Sequence, residues 1–268
     1  MIFNKVFILF FAFYAVSANA QTLKPGFDAD EYIHVLDRCS AQVDPEFKGK
    51  TLPKETHYER VYRSKETGLH NKWELWLSKD KTVMAINLRG TTSDIDSWIE
   101  NFYSAMIPAT GSIKLSDTNT IHYKFAEDPK AMVHVGWTIG ACSMLPGIEE
   151  KIRQYYALGT KQIIIEGHSQ GAALAFLVSS CLHYEVKEGH LPKDLVMKTY
   201  CSAAPKPGNL YYAYDFDFIN RGGWALTIIN AADWVPETPF SMQTVRDVNP
   251  TNPFTHVKET ARKQKLFI

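Results

Sequence analysis

An excess of charge of either sign is missing from this chain: 29 Lys and Arg stand against 29 Asp and Glu, a formal net charge of zero. Nucleic-acid binders normally carry a basic footprint, so no nucleic-acid partner is expected. Cysteine is scarce, with only Cys39, Cys142, Cys181 and Cys201 present, and these could pair in three ways. Cys39 falls on the apolar side of an expected helix with Tyr32, Val35 and Leu36, and Cys201 falls inside an expected strand. Buried free thiols are therefore expected ahead of a disulfide framework in a domain of this size. No internal repeat, low-complexity tract or long linker interrupts the chain. No cluster of His, Cys and acidic residues suggests a metal, so neither metal nor organic cofactor is expected.

Long apolar runs are also missing, and none reaches the ~20 residues that cross a bilayer. The one apolar run of note lies in "MIFNKVFILFFAFYAVSANA". Lys5 supplies a positive n-region, Val6 to Val16 an apolar stretch, and Ala18-Asn19-Ala20 a small-x-small cleavage site. This pattern predicts a secretory signal peptide over residues 1–20 and an exported, soluble protein beginning near Gln21, secreted or periplasmic. The remainder, 21–268, is long enough for a single α/β domain with a full core. Removing the leader takes away Lys5 and no acid, so the mature chain stays close to neutral.

What is present is a change of rhythm along the chain. Asp28, with Glu31 three residues on, predicts a capped helix running to about Val43. "THYERVYRS", "KWELWLS" and "TVMAINL" read as successive strands of an antiparallel meander. From residue 130 helix and strand alternate: a helix over about 136–158, strand "QIIIE", a helix to about Val186, strand "LVMKTYCSAA", a helix or loop "NLYYAYDFDFI", and strand "WALTIIN". Alternation of this kind predicts parallel strands joined by crossovers, with ligand sites beyond the strands' carboxyl ends. The fold class is accordingly α/β: a central, mostly parallel sheet with flanking helices and an antiparallel N-terminal part. Chemistry is expected just after Leu88, Glu166, Ala204 and Asn230.

At the second of these positions Gly167-His168-Ser169-Gln170-Gly171 fits G-x-S-x-G. The pattern alone is common, but here it follows the β-branched run "III" and precedes "AALAFLV", whose small residues let a helix press on a strand. A sharp strand-to-helix bend would expose the Ser169 hydroxyl above the sheet. A neutral serine needs a base in reach and an acid to orient that base. His168, held by the elbow beside Ser169, is expected to be structural. Asp233 stands immediately past the apolar strand in "IINAADWVPETP" and is the acid candidate, ahead of Asp215, Asp217 and Asp247, which follow no convincing strand end. One histidine, His256 in "NPFTHVKET", lies downstream of Asp233 and is the base by elimination. A solvated histidine on a basic surface helix is the competing reading of the same residues.

An oxyanion needs two backbone N–H donors. Gln170, first in the helix after the nucleophile, offers one. Thr91, in "LRGTTS" after an expected strand end, offers the second, although the same residues read equally well as a turn and a helix cap. Beyond it Ile95, Trp98, Ile99, Phe102, Tyr103 and Met106 recur at helical spacing, with Asp94, Asp96, Glu100 and Asn101 filling the other side. The segment is either a lid and acyl-binding wall, with Trp98, Ile99 and Phe102 facing substrate, or an ordinary amphipathic surface helix.

Six ordered motifs resemble those of the class 3, fungal-type lipases within the α/β-hydrolases. "LRGTTS" is similar to F-R-G-[ST], "SWIENF" to R-N-W-I-x-D, "VHVGW" to V-H-x-G-F, and "IEGHSQGAALA" to the serine elbow. "YCSAAPKPGN" is similar to Y-T-x-G-x-P-R-V-G-N, and "IINAADWVPETP" to N-x-x-D-x-V-P-x-L-P. The resemblance runs from about Thr82 to Pro239. It implies Ser169 as nucleophile, Asp233 as acid, and Thr91 and Gln170 as oxyanion donors. Threonine stands where serine is more usual in the oxyanion segment, and the family's histidine typically follows its aspartate at a greater distance. Either this loop is compact around His256, or the base lies beyond residue 268. The implied activity is a carboxylic ester hydrolase working through an acyl-enzyme on acylglycerols or related lipid esters, with transient contact at a lipid interface. A phospholipase A1, a feruloyl or polysaccharide esterase, and a lipid-binding protein without turnover are the alternatives. The sequence carries no signal for an oligomeric state.

Overall fold

A computed structural model describes residues 22–42, 54–92, 97, 100–101 and 105–239. The leader, His256, and the lid residues Trp98, Ile99 and Phe102 lie outside the described residues.

Asp28 caps the first helix, α1 (Ala29–Ser40), its carboxylate accepting the Glu31 N–H at 3.0 Å; α1 stops at Ser40, short of Val43. The meander follows as β1 (Tyr58–Arg63), β2 (Trp73–Ser78) and β3 (Val83–Leu88), paired antiparallel in sequence. The next four strands have no counterpart in the sequence-based reading. β4 (Met106–Pro108) pairs with β7 (Met132–His134), and β5 (Thr110–Ser116) forms a hairpin with β6 (Asn119–Lys124). The alternation then runs α2 (Val135–Ala157), β8 (Gln162–His168), α3 (Gln170–Glu188), β9 (Val196–Ser202), α4 (Leu210–Ile219) and β10 (Ala225–Ile228).

Among the described residues six strands make the central sheet, in the order β1-β2-β3-β8-β9-β10. The β3–β8, β8–β9 and β9–β10 pairs are all parallel, so their carboxyl ends share one edge. Both sheet faces are covered, which explains why "III" in β8 is a continuous apolar run rather than an alternating one. Ile163 and Ile165 enter the larger core, which also holds buried side chains of α2, α3 and α4, while Ile164 joins Val35 of α1, Tyr58 and Tyr200 on the opposite face.

Alternation carries Glu166 to the α1 side as well. There the buried Arg38 guanidinium grips both Glu166 oxygens at 2.7 Å and Glu55 Oε2 at 2.9 Å, and lies 4.2 Å from the centre of the Tyr58 ring. Burial works against the Arg38 charge, but Glu166 outweighs it and holds the guanidinium protonated. Four free cysteines are present, three of them buried. Burial pushes the Cys39 and Cys142 thiols up to about 12, so they are poor nucleophiles at neutral pH. Leu36 corrects the expected apolar face of α1: it is exposed, while Val35 is fully buried. Among the described residues no helix is long and apolar enough to cross a membrane.

Candidate active site

Ser169 occupies the bend between β8 and α3 with φ 57° and ψ −126°, a conformation an L-residue holds only when its surroundings impose it. Its N–H is fixed by Ser202 O of β9 at 2.9 Å, and its carbonyl accepts from Ala172 and Ala173. Its hydroxyl makes no capping bond to the helix it opens. Two glycines permit the packing around it. A Cβ on Gly171 would stand 2.2 Å from Leu88 O, and one on Gly90 would stand 2.9 Å from His168 O. The end of β3 therefore lies directly on the elbow, which brings the Gly90–Thr91 turn alongside Ser169 and Gln170. Gly167 lies one residue before the end of β8, paired with Leu88 on one side and Cys201 on the other.

Gln170 begins α3, where the first-turn N–H groups have no acceptor within the helix. Its buried side chain is tied to the turn after β3: Thr92 N–H reaches Ser97 Oγ at 3.2 Å, and the Ser97 hydroxyl reaches Gln170 Oε1 at 3.1 Å. Asn101 Nδ2 donates to Thr91 Oγ1 at 2.9 Å. Ser97 and Asn101, one helical turn apart in "SWIENF", thus stitch both candidate oxyanion donors together. Neither was a sequence-based candidate; their i, i+4 spacing on the polar side of that segment was the available signal.

Glu100 and Ser97 are buried, not turned to water. Glu100 Oε2 accepts from Asn71 Nδ2 at 2.9 Å, and among the described residues no donor reaches Oε1. Burial pushes this carboxyl up to about 8, against smaller downward pulls from the Asn71 and Gln170 amides. Between about 4.5 and 8 the folded protein holds a proton on Glu100 that the unfolded chain releases, so the contribution of this group to stability falls as pH rises through that window, by about 1.4 kcal/mol per pH unit. Glu100→Gln removes that contribution. Its thermal midpoint is expected to match or trail wild type at pH 5 and exceed it by several degrees at pH 9; parallel profiles by scanning calorimetry would refute the assignment.

Asp233 follows β10 in a turn closed by its own N–H to Asn230 O at 2.9 Å, and its Oδ1 accepts the Val235 N–H at 3.0 Å. Its charge reaches the elbow: partial desolvation lowers the His168 pKa, and Asp233 pulls it back up. The His168 ring itself turns to the α1 side of the sheet, with Nδ1 3.2 Å from Ser202 Oγ, which Tyr32 also holds at 2.7 Å. Thr91, Ser169, Gln170 and Asp233 are thus gathered beyond the carboxyl ends of β3, β8 and β10. Of the acids set aside, Asp215 is engaged on α4 by the Tyr184 hydroxyl and Glu127 N–H; Asp247 lies outside the described residues. Among the described residues two groups bring metal-capable atoms within 4.8 Å of one another, His34 with Glu55 and His57, and Glu185 with Glu188 and His190. Neither includes an elbow residue.

Residues 85–243, more than half of the chain, match the lipase (class 3) family. The chain belongs to the class 3 lipase family. A secreted mono- and diacylglycerol lipase 3 from Gibberella zeae is 27% identical over 113 residues, 41% of this chain and 33% of that protein. The match therefore spans about a third of the relative's length. The fold is that of fungal lipases. A triacylglycerol lipase from Penicillium expansum superposes with a TM-score of 0.57 at 16% identity, covering 81% of this chain and 76% of that one. A fungal lipase–inhibitor complex gives 0.52 at 17% identity, covering 78% and 73%. This class 3 lipase fold is an α/β-hydrolase fold, with the sheet edge carrying Ser169 placed as described above.

Proposed function

We propose that this class 3 lipase family member is an exported serine ester hydrolase acting on acylglycerols or related lipid esters, its mature part forming one domain from about Gln21. Ser169 attacks the ester carbonyl, and the N–H groups of Thr91 and Gln170 receive the oxyanion. A histidine, His256 within this sequence, takes the serine proton and returns it to the leaving alcohol, while Asp233 steers its imidazole. Water then frees the acyl chain. The observation that carries this reading is the positive-φ serine at the strand-to-helix bend, with the Gly90–Thr91 turn packed against it. The substrate class follows the family and the mono- and diacylglycerol lipase relative, and export follows the leader sequence together with that relative's description as secreted.

A fluorophosphonate probe separates an enzyme from a lipid-binding protein that does not turn over. Labelling is expected on Ser169 and is expected to disappear in Asp233→Ala and His256→Ala at short exposure. A folded protein that never labels would favour binding without catalysis. A fully active His256→Ala would remove that residue from the mechanism and leave Ser169 in it. Nitrophenyl esters of increasing acyl length report the substrate: turnover rising with chain length supports a lipid esterase, and preference for the shortest esters supports a general esterase instead.

A further inference from the structure

We propose that His34, Glu55 and His57 form a binding site for a zinc ion, which fastens α1 to the chain entering β1. His34 belongs to α1, and Glu55 and His57 lie just ahead of Tyr58, the first residue of β1. Their ligand atoms all fall within 4.8 Å of one another. The two histidines are far apart in sequence, so no local spacing announces a metal there.

Zinc takes imidazole nitrogen and carboxylate oxygen into a tetrahedral shell. Two ligands ~2.0–2.1 Å from such an ion stand ~3.3–3.4 Å apart. His34 Nδ1 is 3.3 Å from Glu55 Oε1. That nitrogen is buried, and among the described residues it makes no hydrogen bond. The pair is thus spaced and turned as two ligands, not as donor and acceptor. Leaving a buried ring nitrogen without a partner is costly, and a cation between it and the carboxylate removes the cost.

Glu55 is held ready for this role. Its side chain is 1% exposed. Oε1 accepts the His57 N–H at 2.6 Å and the Tyr58 N–H at 3.3 Å, while Arg38, one turn beyond His34 on α1, holds Oε2 at 2.9 Å. Such outer bonds fix a ligand's orientation before the ion arrives. Arg38 does not spend its whole charge on Glu55, because Glu166 takes two of its nitrogens. The carboxylate therefore keeps charge for a second cation.

His57 completes the set. Its ring centre lies 4.1 Å from that of His34, with the planes 56° apart. Two imidazolium charges that close would repel, whereas one divalent ion draws a lone pair from each neutral ring. His57 is exposed, so its ring can close the remaining distance while the His34–Glu55 edge stays where it is. Three protein ligands leave a fourth position for water. The cluster of Glu185, Glu188 and His190 lacks this preparation: Glu188 and His190 are exposed, and Lys124 engages Glu188 at 2.7 Å.

The test titrates Zn²⁺ into chelator-stripped protein, read by calorimetric binding and by thermal unfolding. One Zn²⁺ per chain is expected, and at 100 times Kd the melting temperature should rise by ~5–10 °C. His57→Gln keeps the backbone N–H that Glu55 accepts and changes only an exposed ring, so the variant should fold. It should weaken binding by ~10²-fold or more, since even the outer partners of a metal are worth ~10–100-fold. His34→Gln should do the same, and His190→Gln should change nothing. Co²⁺ in place of Zn²⁺ should give the strong visible absorption of a four-coordinate site, absent in His57→Gln. A wild-type protein that binds no Zn²⁺, binding that survives His57→Gln, or binding lost only in His190→Gln would overturn the proposal. None of these readouts depends on ester turnover, so the ester-hydrolase reading stands or falls separately.

Discussion

Ser169→Ala is expected to lower ester turnover by on the order of 10⁴–10⁶-fold while leaving the folded protein intact, because members of a catalytic triad fail as a unit. What remains should come from the proposed backbone donors at Thr91 and Gln170, which the substitution does not touch. The elbow makes the control informative. Alanine keeps the Cβ and hence the cost of φ 57°, of the order of 1–2 kcal/mol for an L-residue, so its thermal midpoint should stay close to wild type. Ser169→Gly relieves that strain but gives the unfolded chain more freedom, offsetting about 0.5–1 kcal/mol of the gain. It should be equally inactive and no less stable. Turnover and calorimetry together decide the matter: an active Ser169→Ala removes the serine from the chemistry, and an inactive variant that has also unfolded would assign the residue to structure.

The elbow is legible in the sequence because its chemistry is local. A β-branched run, a G-x-S-x-G turn and a small-residue helix are adjacent in sequence, and each constrains the next. The parallel half of the sheet is legible for a related reason: "QIIIE" and "LVMKTYCSAA" are short, mainly apolar runs set between helices, as strands covered on both faces usually are. The hairpin of β5 and β6 was not read. Its strands are largely exposed and polar, so the apolar alternation that marks a half-buried strand is carried by little more than Ile113, Leu115, Ile121 and Tyr123. Glu100 and Asn101 read in sequence only as the polar side of an amphipathic segment, because periodicity reports polarity and not what the polarity meets. Their partners, Asn71 and Trp137, are about 30 residues away in either direction. Thr91 shows the middle case: its turn was visible, but only the contact of Gly90 with His168 O brings it to the serine.

Arg38→Met is expected to cost about 3–5 kcal/mol of stability, the penalty for leaving a buried carboxylate without its partner, and to lower the melting temperature by roughly 10 °C. The sequence gives little hint of this, since Arg38 looks like a basic residue in the last turn of a surface helix. In the fold it is fully buried and makes a two-pronged bond to Glu166, three residues before Ser169. Without the guanidinium, Glu166 keeps only the Asn87 amide at 2.8 Å as a polar partner among the described residues and must take up a proton to remain buried. Its folded pKa then rises further above the unfolded value near 4.5. The folded variant binds the extra proton, so its stability drops as pH climbs, and the deficit against wild type should be larger at pH 8 than at pH 5. Arg38→Met with Glu166→Gln removes the unpaired charge and should recover much of the loss, since an apolar or neutral replacement of a whole buried pair is often close to neutral. Denaturant unfolding of the single and double variants at both pH values measures all four quantities. A single variant within about 1 kcal/mol of wild type, or a double variant less stable than Arg38→Met alone, would show that the pair is not what fastens α1 to the strand beneath the serine.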